Sequence, residues 1–350
     1  MPRVTLQTVA DAVGVSRMTV SNAFSRPDQL SPVLRARVLA AAEELGYAGP
    51  DPVARSLSRG RSGTVGVLLT DSLTYAFSDP VATAMLAGLA GVLEPEGIGL
   101  TVMSAPRGGG TGAVASAVVD GVVVYSVDEE SSGLHAVRRR RLPHVLVDQE
   151  PERGVPSVVV DDRGGAAAAV RHLIALGHRR IAVLTQALGP AVALVAVDAA
   201  TPGHYVLRER LAGWRGELDL AGLRPAALAS APANERAGGR AAARLLLDLQ
   251  PRPTAVVCLS DVLASGVLDA AAEADLEVPR DVSVVGFDDG PLAVAAEPQL
   301  TSVAQPLQDK GATAARLLLD VLDPGVAVSD ALHRLPTRLV VRGSTAAPRG

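Results

Sequence analysis

The sequence predicts an N-terminal all-α helix-turn-helix domain followed by an α/β body of two parallel-sheet lobes. Three observations predict it. Residues 5–45 hold three short amphipathic patterns separated by capping residues and one glycine. From Val65 onward, short β-rich runs alternate with longer helical stretches, as parallel strands joined by helices require. That alternation continues for nearly three hundred residues, too many for one ordinary core.

In the opening unit, Thr5 caps a first helix over 6–12, with Leu6, Val9, Ala10 and Val13 on its apolar side. Gly14 permits a backbone conformation that a side chain opposes. Ser16 caps a second helix, 17–24, with Val20, Ala23 and Phe24 inward and Arg17, Met18, Ser21 and Asn22 outward. "LSP" at 30–32 opens a third, with Ser31 as N-cap; it buries Val38, Ala41 and Leu45 and stops at Gly46. Such a unit places its second helix in the major groove of DNA, N-terminal residues leading. Arg17 then forks onto a guanine edge or holds a phosphate. Met18 offers apolar contact, and Ser21 and Asn22 hydrogen-bond to bases or backbone. Thr5, Ser16, Arg26 and Ser31 complete the expected DNA-facing set. The competing reading is a small helical cap with a solvated face.

"PDPVARSLSRGRSGTVGVLL" (50–69) links this unit to the body. Pro52–Ser58 is long enough for two helical turns but too short to be stable alone, so it folds only when held. Leu57 is exposed on so short a helix unless it enters a partner, and a leucine wedged into a minor-groove step kinks the duplex. A plain Gly- and Ser-rich linker over 58–63 is the alternative.

In the body, 65–69, 99–103, 121–125, 144–148, 181–185, 255–259 and 282–287 read as buried parallel strands. Helical stretches fall at 80–93, 163–177, 205–221, 236–249, 262–275 and 306–322. Ligands of such sheets collect at the carboxyl ends of the strands. There the sequence offers Asp71, Ser72 and Phe77, then Asp148, then Ser260 and Asp261, then Asp288. Arg210 supplies a forked donor with Trp214 one turn later, and an apolar ring with polar edges suits a sugar-sized ligand. Each has a structural alternative: a helix cap for Asp261, a turn for Asp288, core for Trp214.

Composition narrows the function. Residues 1–61 hold eight arginines against five acids, while the whole chain has net charge −4, so a basic head sits on an acidic body. With 48% hydrophobic but only 2% aromatic residues, the cores are built from Val, Leu and Ala. One cysteine, Cys258 in "AVVCLS", excludes a disulfide framework and reads as a buried thiol. Six scattered histidines give no metal spacing. No signal core and no apolar run of roughly 18 residues occurs, so a soluble cytoplasmic protein is expected. "GTGAVA" (110–115) has a dinucleotide-type glycine pattern, but no acid follows until Asp128, so no cofactor is expected. "RRRR" (138–141) reads as the C-terminal cover of a helix. No nucleophile elbow, P-loop or metalloprotease spacing suggests an enzyme.

"VTLQTVADAVGVSRMTVSNAF", "ELGY" and "PVARSL" resemble the head and hinge of the LacI/GalR family of transcriptional regulators, and the similarity continues to about residue 343. The resemblance implies that Val53, Ala54, Arg55 and Leu57 belong to a hinge helix, with Leu57 matching the intercalating leucine. It also implies that Arg210 matches the effector-contacting arginine and that the body is periplasmic-binding-protein-like. Ser21-Asn22 stands where many members carry Ser-Arg, Asp51 where asparagine is common, and Ser260-Asp261 where Asn-Asp is usual. On this basis residues 1–49 form the head, 50–63 the hinge and linker, and 64–343 the body. One lobe is expected over 64–161 plus 290–322, the other over 162–289 plus 323–343, with 344–350 a disordered tail.

The expected function is sequence-specific DNA binding by a homodimeric repressor that reads a near-palindromic operator. The resemblance implies control by a sugar or nucleoside-like effector. The alternative is a sugar-binding or sugar-modifying α/β protein with an incidental helical cap. No heptad tail follows "RLVVR" (338–342) to join dimers into tetramers.

Overall fold

The computed structural model describes residues 4–49, 61–70, 72–104, 110, 112–128, 130–199, 203–327 and 331–349. Val53, Ala54, Arg55, Leu57 and Asp71 lie outside the described residues. The chain separates into two compact units, Met1–Gly63 and Thr64–Gly350.

The first unit contains α1 (Leu6–Val13), α2 (Arg17–Ser25) and α3 (Pro32–Glu44), with a single 3-10 turn at Pro27–Gln29. The expected caps form. Thr5 and Thr8 bond reciprocally, Thr19 N–H donates to Ser16 Oγ at 3.0 Å, and Leu34 N–H donates to Ser31 Oγ at 3.3 Å. Gly14 turns the chain at φ +72°. Val9, Ala10, Val20, Ala23, Val38 and Ala42 form the core, edged by the Phe24–Tyr47 ring pair at 5.8 Å. Ala42 rather than Ala41 faces this core, and Leu45 is only half-buried because α3 ends at Glu44. Arg35 Nε donates to Ala23 O and Arg37 to Val13 O, satisfying carbonyls at the ends of α2 and α1.

The body has two sheets. The first comprises β1 (Thr64–Leu69), β2 (Gly99–Ser104), β3 (Gly121–Tyr125), β4 (His144–Val147), β5 (Ser157–Val160) and β12 (Leu332–Leu335). Its order is β12-β5-β4-β3-β1-β2, all parallel. The second comprises β6 (Ile181–Gln186), β7 (Ala193–Leu194), β8 (Leu228–Ala231), β9 (Ala255–Cys258), β10 (Ser283–Asp288), β11 (Thr301–Ala304) and β13 (Arg338–Val340). Its order is β13-β11-β10-β9-β6-β8-β7, antiparallel only at the two edges.

The first lobe carries α4 (Leu73–Ser78), α5 (Pro80–Leu93), α6 (Gly112–Ser116), α7 (Ser132–Arg139) and α13 (Leu307–Leu322). The second carries α8 (Asp162–Ala175), α9 (Tyr205–Leu220), α10 (Arg236–Leu247), α11 (Asp261–Glu273) and α12 (Pro291–Ala295). None of the helices in the described residues is long and apolar enough to cross a membrane.

The chain passes between lobes three times, at Asp161, at Gln305–Pro306 and at Pro336–Thr337. The outer two passages are tied together: Asp161 N–H donates to Leu335 O and Thr337 Oγ1 to Asp161 O, both at 2.9 Å. This corrects the expected lobe boundaries. Segment 290–322 is split, because β11 pairs with β10 in the second sheet before α13 returns to the first. Segment 323–343 is split likewise, into β12 of the first sheet and β13 of the second. The expected disordered tail is also corrected. Ser344 is fully buried, its Oγ donating to Val284 O and accepting from Thr301 N, and His178 Nε2 lies 2.9 Å from Ala346 O. Small polar residues read as loop by composition here complete the hydrogen bonding of β10 and β11.

Candidate functional site

The body encloses a cavity of about 410 Å³ at the carboxyl ends of strands from both sheets. Residues at or just beyond the ends of β1, β3, β4, β6, β9, β10 and β11 line it. Its floor is a continuous chain of polar groups crossing from one lobe to the other. Asp148 Oδ2 accepts from Lys310 Nζ, and Lys310 Nζ also donates to Gln305 Oε1 at 3.0 Å. Gln305 Nε2 donates to Asp288 Oδ1 at 2.7 Å, and Asp288 lies 3.6 Å from the Arg210 guanidinium. Arg210 Nε donates to Asp162 Oδ1 at 2.8 Å, while its guanidinium stacks 3.4 Å from the Phe287 ring centroid. Gln305 sits on the passage between lobes, so the chain is joined at the hinge itself.

Burial shapes the electrostatics. It pushes Asp162 up to about 6, with the Arg210 charge opposing the shift. It also raises Asp288 and Tyr125. The lobes are further bridged around the cavity: His204 Nε2 lies 3.0 Å from Asp128, Arg208 pairs with Glu150, and Asn234 Nδ2 donates to Tyr75 OH at 3.0 Å. Among the described residues no cluster of His, Cys, Asp and Glu has metal-binding geometry.

Of the expected pocket residues, Ser72, Asp148, Arg210, Ser260 and Asp288 line the cavity. Three described ones do not. Trp214 is 1% exposed and belongs to the core of the second lobe, since it faces the sheet from α9. Phe77 is 62% exposed on α4. Asp261 is turned away: its carboxylate accepts from Ser302 Oγ at 2.6 Å and Gly290 N–H at 3.0 Å, lying against the bare Cα of Gly286. Burial pushes it up to about 7. Ser260, not Asp261, caps α11, by accepting from Leu263 N–H.

Sequence reasoning missed Lys310, Gln305, Asp162, Tyr75 and Asn234. For Lys310 a signal existed: it is the only lysine in the chain, where every other permanently cationic side chain is arginine. A lone lysine inside the apolar pattern of α13, 1% exposed, marks a place for a compact point charge rather than a planar fork.

In the first unit, Arg17 and Met18 stand at the leading end of α2, and Met18 is 71% exposed. Ser21 and Asn22 are half-buried, with Asn22 Nδ2 donating to Gln29 Oε1 at 3.2 Å, and Arg26 is exposed at the C-cap. Thr5, Ser16 and Ser31 are exposed and use their hydroxyls as caps.

Residues 5–49 match the family described as bacterial regulatory proteins, lacI family, and residues 170–345 match a periplasmic binding protein-like domain. An HTH-type transcriptional regulator of Mycobacterium tuberculosis is 43% identical, over 99% of this chain and 98% of its own length. The lac repressor dimer bound to operator and an anti-inducer superposes with TM-score 0.82 at 28% identity, covering 98% of this chain and 99% of that one. The complex of the transcriptional regulator CelR with cellobiose gives TM-score 0.70 at 30% identity, covering 98% and 100%.

Proposed function

The chain belongs to the lacI family of bacterial regulatory proteins, and on that premise we propose that it is a homodimeric, cytoplasmic repressor released from or recruited to its operator by a small effector. Two heads read the half-sites of a near-palindromic operator, each inserting α2 into the major groove. The observation that carries this is the leading end of α2, where Arg17 and the 71%-exposed Met18 stand together on a three-helix unit whose own core needs neither. The DNA-facing set is Arg17, Met18, Ser21, Asn22 and Arg26, with Thr5, Ser16 and Ser31 at helix starts whose N–H groups suit phosphates. Val53, Ala54, Arg55 and Leu57, which lie outside the described residues, complete the DNA-contacting set in this proposal.

The effector occupies the body cavity, contacting Asp148, Arg210 and Asp288. It is a sugar or nucleoside-like molecule, consistent with the cellobiose held by the CelR relative. The cavity is a binding site rather than a catalytic one. An effector acts through its different affinity for the two lobe arrangements, so DNA and effector affinities are reciprocally coupled.

The test is selection of bound fragments from host genomic DNA, followed by addition of metabolites. Enrichment of a near-palindromic sequence, altered by a metabolite in the native protein but not in Arg210→Ala, is expected. No enrichment over random duplex removes the proposal. A metabolite response that survives Arg210→Ala removes the arginine from the site.

A further inference from the structure

The cavity's polar groups are unevenly committed. Among the described residues, four carboxylates line it, Asp79, Asp148, Glu235 and Asp288, against two permanent cations, Arg210 and Lys310. Both cations are already engaged: Arg210 by Asp162 and Asp288, Lys310 by Asp148 and Gln305. The third basic side chain, His204, is bridged to Asp128. Among the described residues, Asp148 Oδ1 and Gln186 Oε1 are buried without any hydrogen-bond partner, and both residues line the cavity. A carboxylate oxygen accepts only, and the amide oxygen of Gln186 likewise. Leaving such acceptors unmet is costly, so the favourable occupant brings hydrogen-bond donors to them. A phosphate or carboxylate brings acceptors instead, and sets negative charge against Asp148 with no free cation among the described lining residues to meet it.

We infer that this cleft selects an uncharged, hydroxyl-rich effector and that the Asp148–Lys310 pair excludes its phosphorylated and carboxylated derivatives. The inference rests on the cavity being the effector site. Lys310 does not serve as a ligand cation; it occupies one oxygen of Asp148 and leaves the other, buried one without a partner. The α5–α13 packing fixes it there. A Cβ on the neighbouring Gly311 would lie 2.0 Å from Met85 O, so α13 is seated against the α5 backbone and Lys310 has little freedom to withdraw.

Because Lys310 is the sole lysine, full-length protein labelled with 15N-lysine gives one side-chain signal reporting the cavity alone. A panel of free sugars, polyols and nucleosides, each with its phosphate ester and acid derivatives, is titrated against that signal and against thermal stability. An uncharged compound is expected to bind, with its charged derivatives weaker by about tenfold or more. A derivative that binds as tightly as its parent overturns the inference while leaving the effector site intact. If no compound, neutral or charged, moves the signal, the effector-site reading fails and the inference with it. A second arm uses inorganic phosphate. Native protein is expected to gain no stability beyond that given by chloride at equal ionic strength. Asp148→Asn, which frees Lys310, is expected to gain phosphate binding, and Asp148→Asn with Lys310→Met to lose it again. Phosphate binding by the native protein, or none by the folded Asp148→Asn variant, overturns the role given to the pair. The panel on native protein decides the question should the variant fail to fold.

Discussion

Asp288 sits at φ +113° and Asp289 at +55°, backbone regions that residues with side chains rarely occupy. Each such conformation costs on the order of 1–3 kcal/mol and persists only where its surroundings hold it. Asp261 does the holding, through Gly290 N–H and Ser302, and Ser302 Oγ also accepts from Asp289 N–H at 3.1 Å. Asp261 therefore positions the cavity carboxylate of Asp288 without touching the cavity. Its own carboxyl is raised to about 7 by burial, against an ordinary value of 3.8. The folded state thus binds this proton more tightly than the unfolded chain. The resulting stabilisation is complete below the ordinary value and is lost as pH rises through about 7. Asp162, raised to about 6, acts in the same direction. Asp269 and Glu273, lowered by hydrogen bonds from Arg236 and Arg244, work oppositely and only at more acid pH. The Asp261 contribution is expected to be lost from about pH 4 to about pH 7, so over that range melting temperature responds less favourably to rising pH in the native protein than in Asp261→Asn. Equal slopes in scanning calorimetry would remove Asp261 as the source. At this scale the sequence pointed to Asp148, Arg210 and Asp288 because each follows or faces a strand end. It misled at Trp214, since a ring one turn after an arginine can face either the cleft or the sheet.

The helices that carry the site depend on close backbone approach. A Cβ on Gly88 of α5 would lie 2.1 Å from Gln308 O, and one on Gly311 of α13 would meet Met85 O. The obstacle in both cases is backbone, which cannot swing aside as a flexible side chain does. Gly311→Ala is expected to cost about 1–3 kcal/mol in urea unfolding and to weaken effector binding by displacing Lys310. A variant of native stability and native affinity would show that the helices have room to part. The apolar runs of β1, β2, β3, β4, β6, β9 and β10 were legible, as were the long helices α5, α9 and α13, whereas β5 ("SVVV"), equally apolar, was missed. β8 ("LASA"), β11 ("TSVA") and β12 ("LHRL") were not legible. They are four residues long, rich in small or polar side chains, and stabilised by neighbours far away in sequence. Missing β11 and β12 is what misplaced the lobe boundaries, since each marks a change of sheet.

At the scale of the whole molecule, three chain passages between lobes make the body a two-part device whose halves share a polar floor. Gln305 bonds Asp288 of one lobe and accepts from Lys310 of the other, so a change in lobe angle strains buried, partner-dependent groups. That favours discrete arrangements over a continuum, which is what an effector needs in order to shift a population. The charge distribution then decides how the molecule meets DNA. The chain is acidic overall, yet residues 1–61 are basic, so attraction to the duplex belongs to the head while the body is repelled. Of the head's arginines, Arg35 and Arg37 are occupied with carbonyls of the first unit. Arg17 and Arg26 are exposed and suited to contact DNA. In the proposed dimer, two such heads on one operator release many counterions, so operator affinity is expected to fall by about a thousandfold between roughly 50 and 200 mM salt. Arg17→Ala is expected to weaken binding and flatten that dependence, whereas Leu57→Ala weakens it by on the order of 1–3 kcal/mol with the salt slope unchanged. Fluorescence anisotropy across a salt series separates the two. A native profile that is flat would mean that phosphate contacts do not hold the heads on DNA.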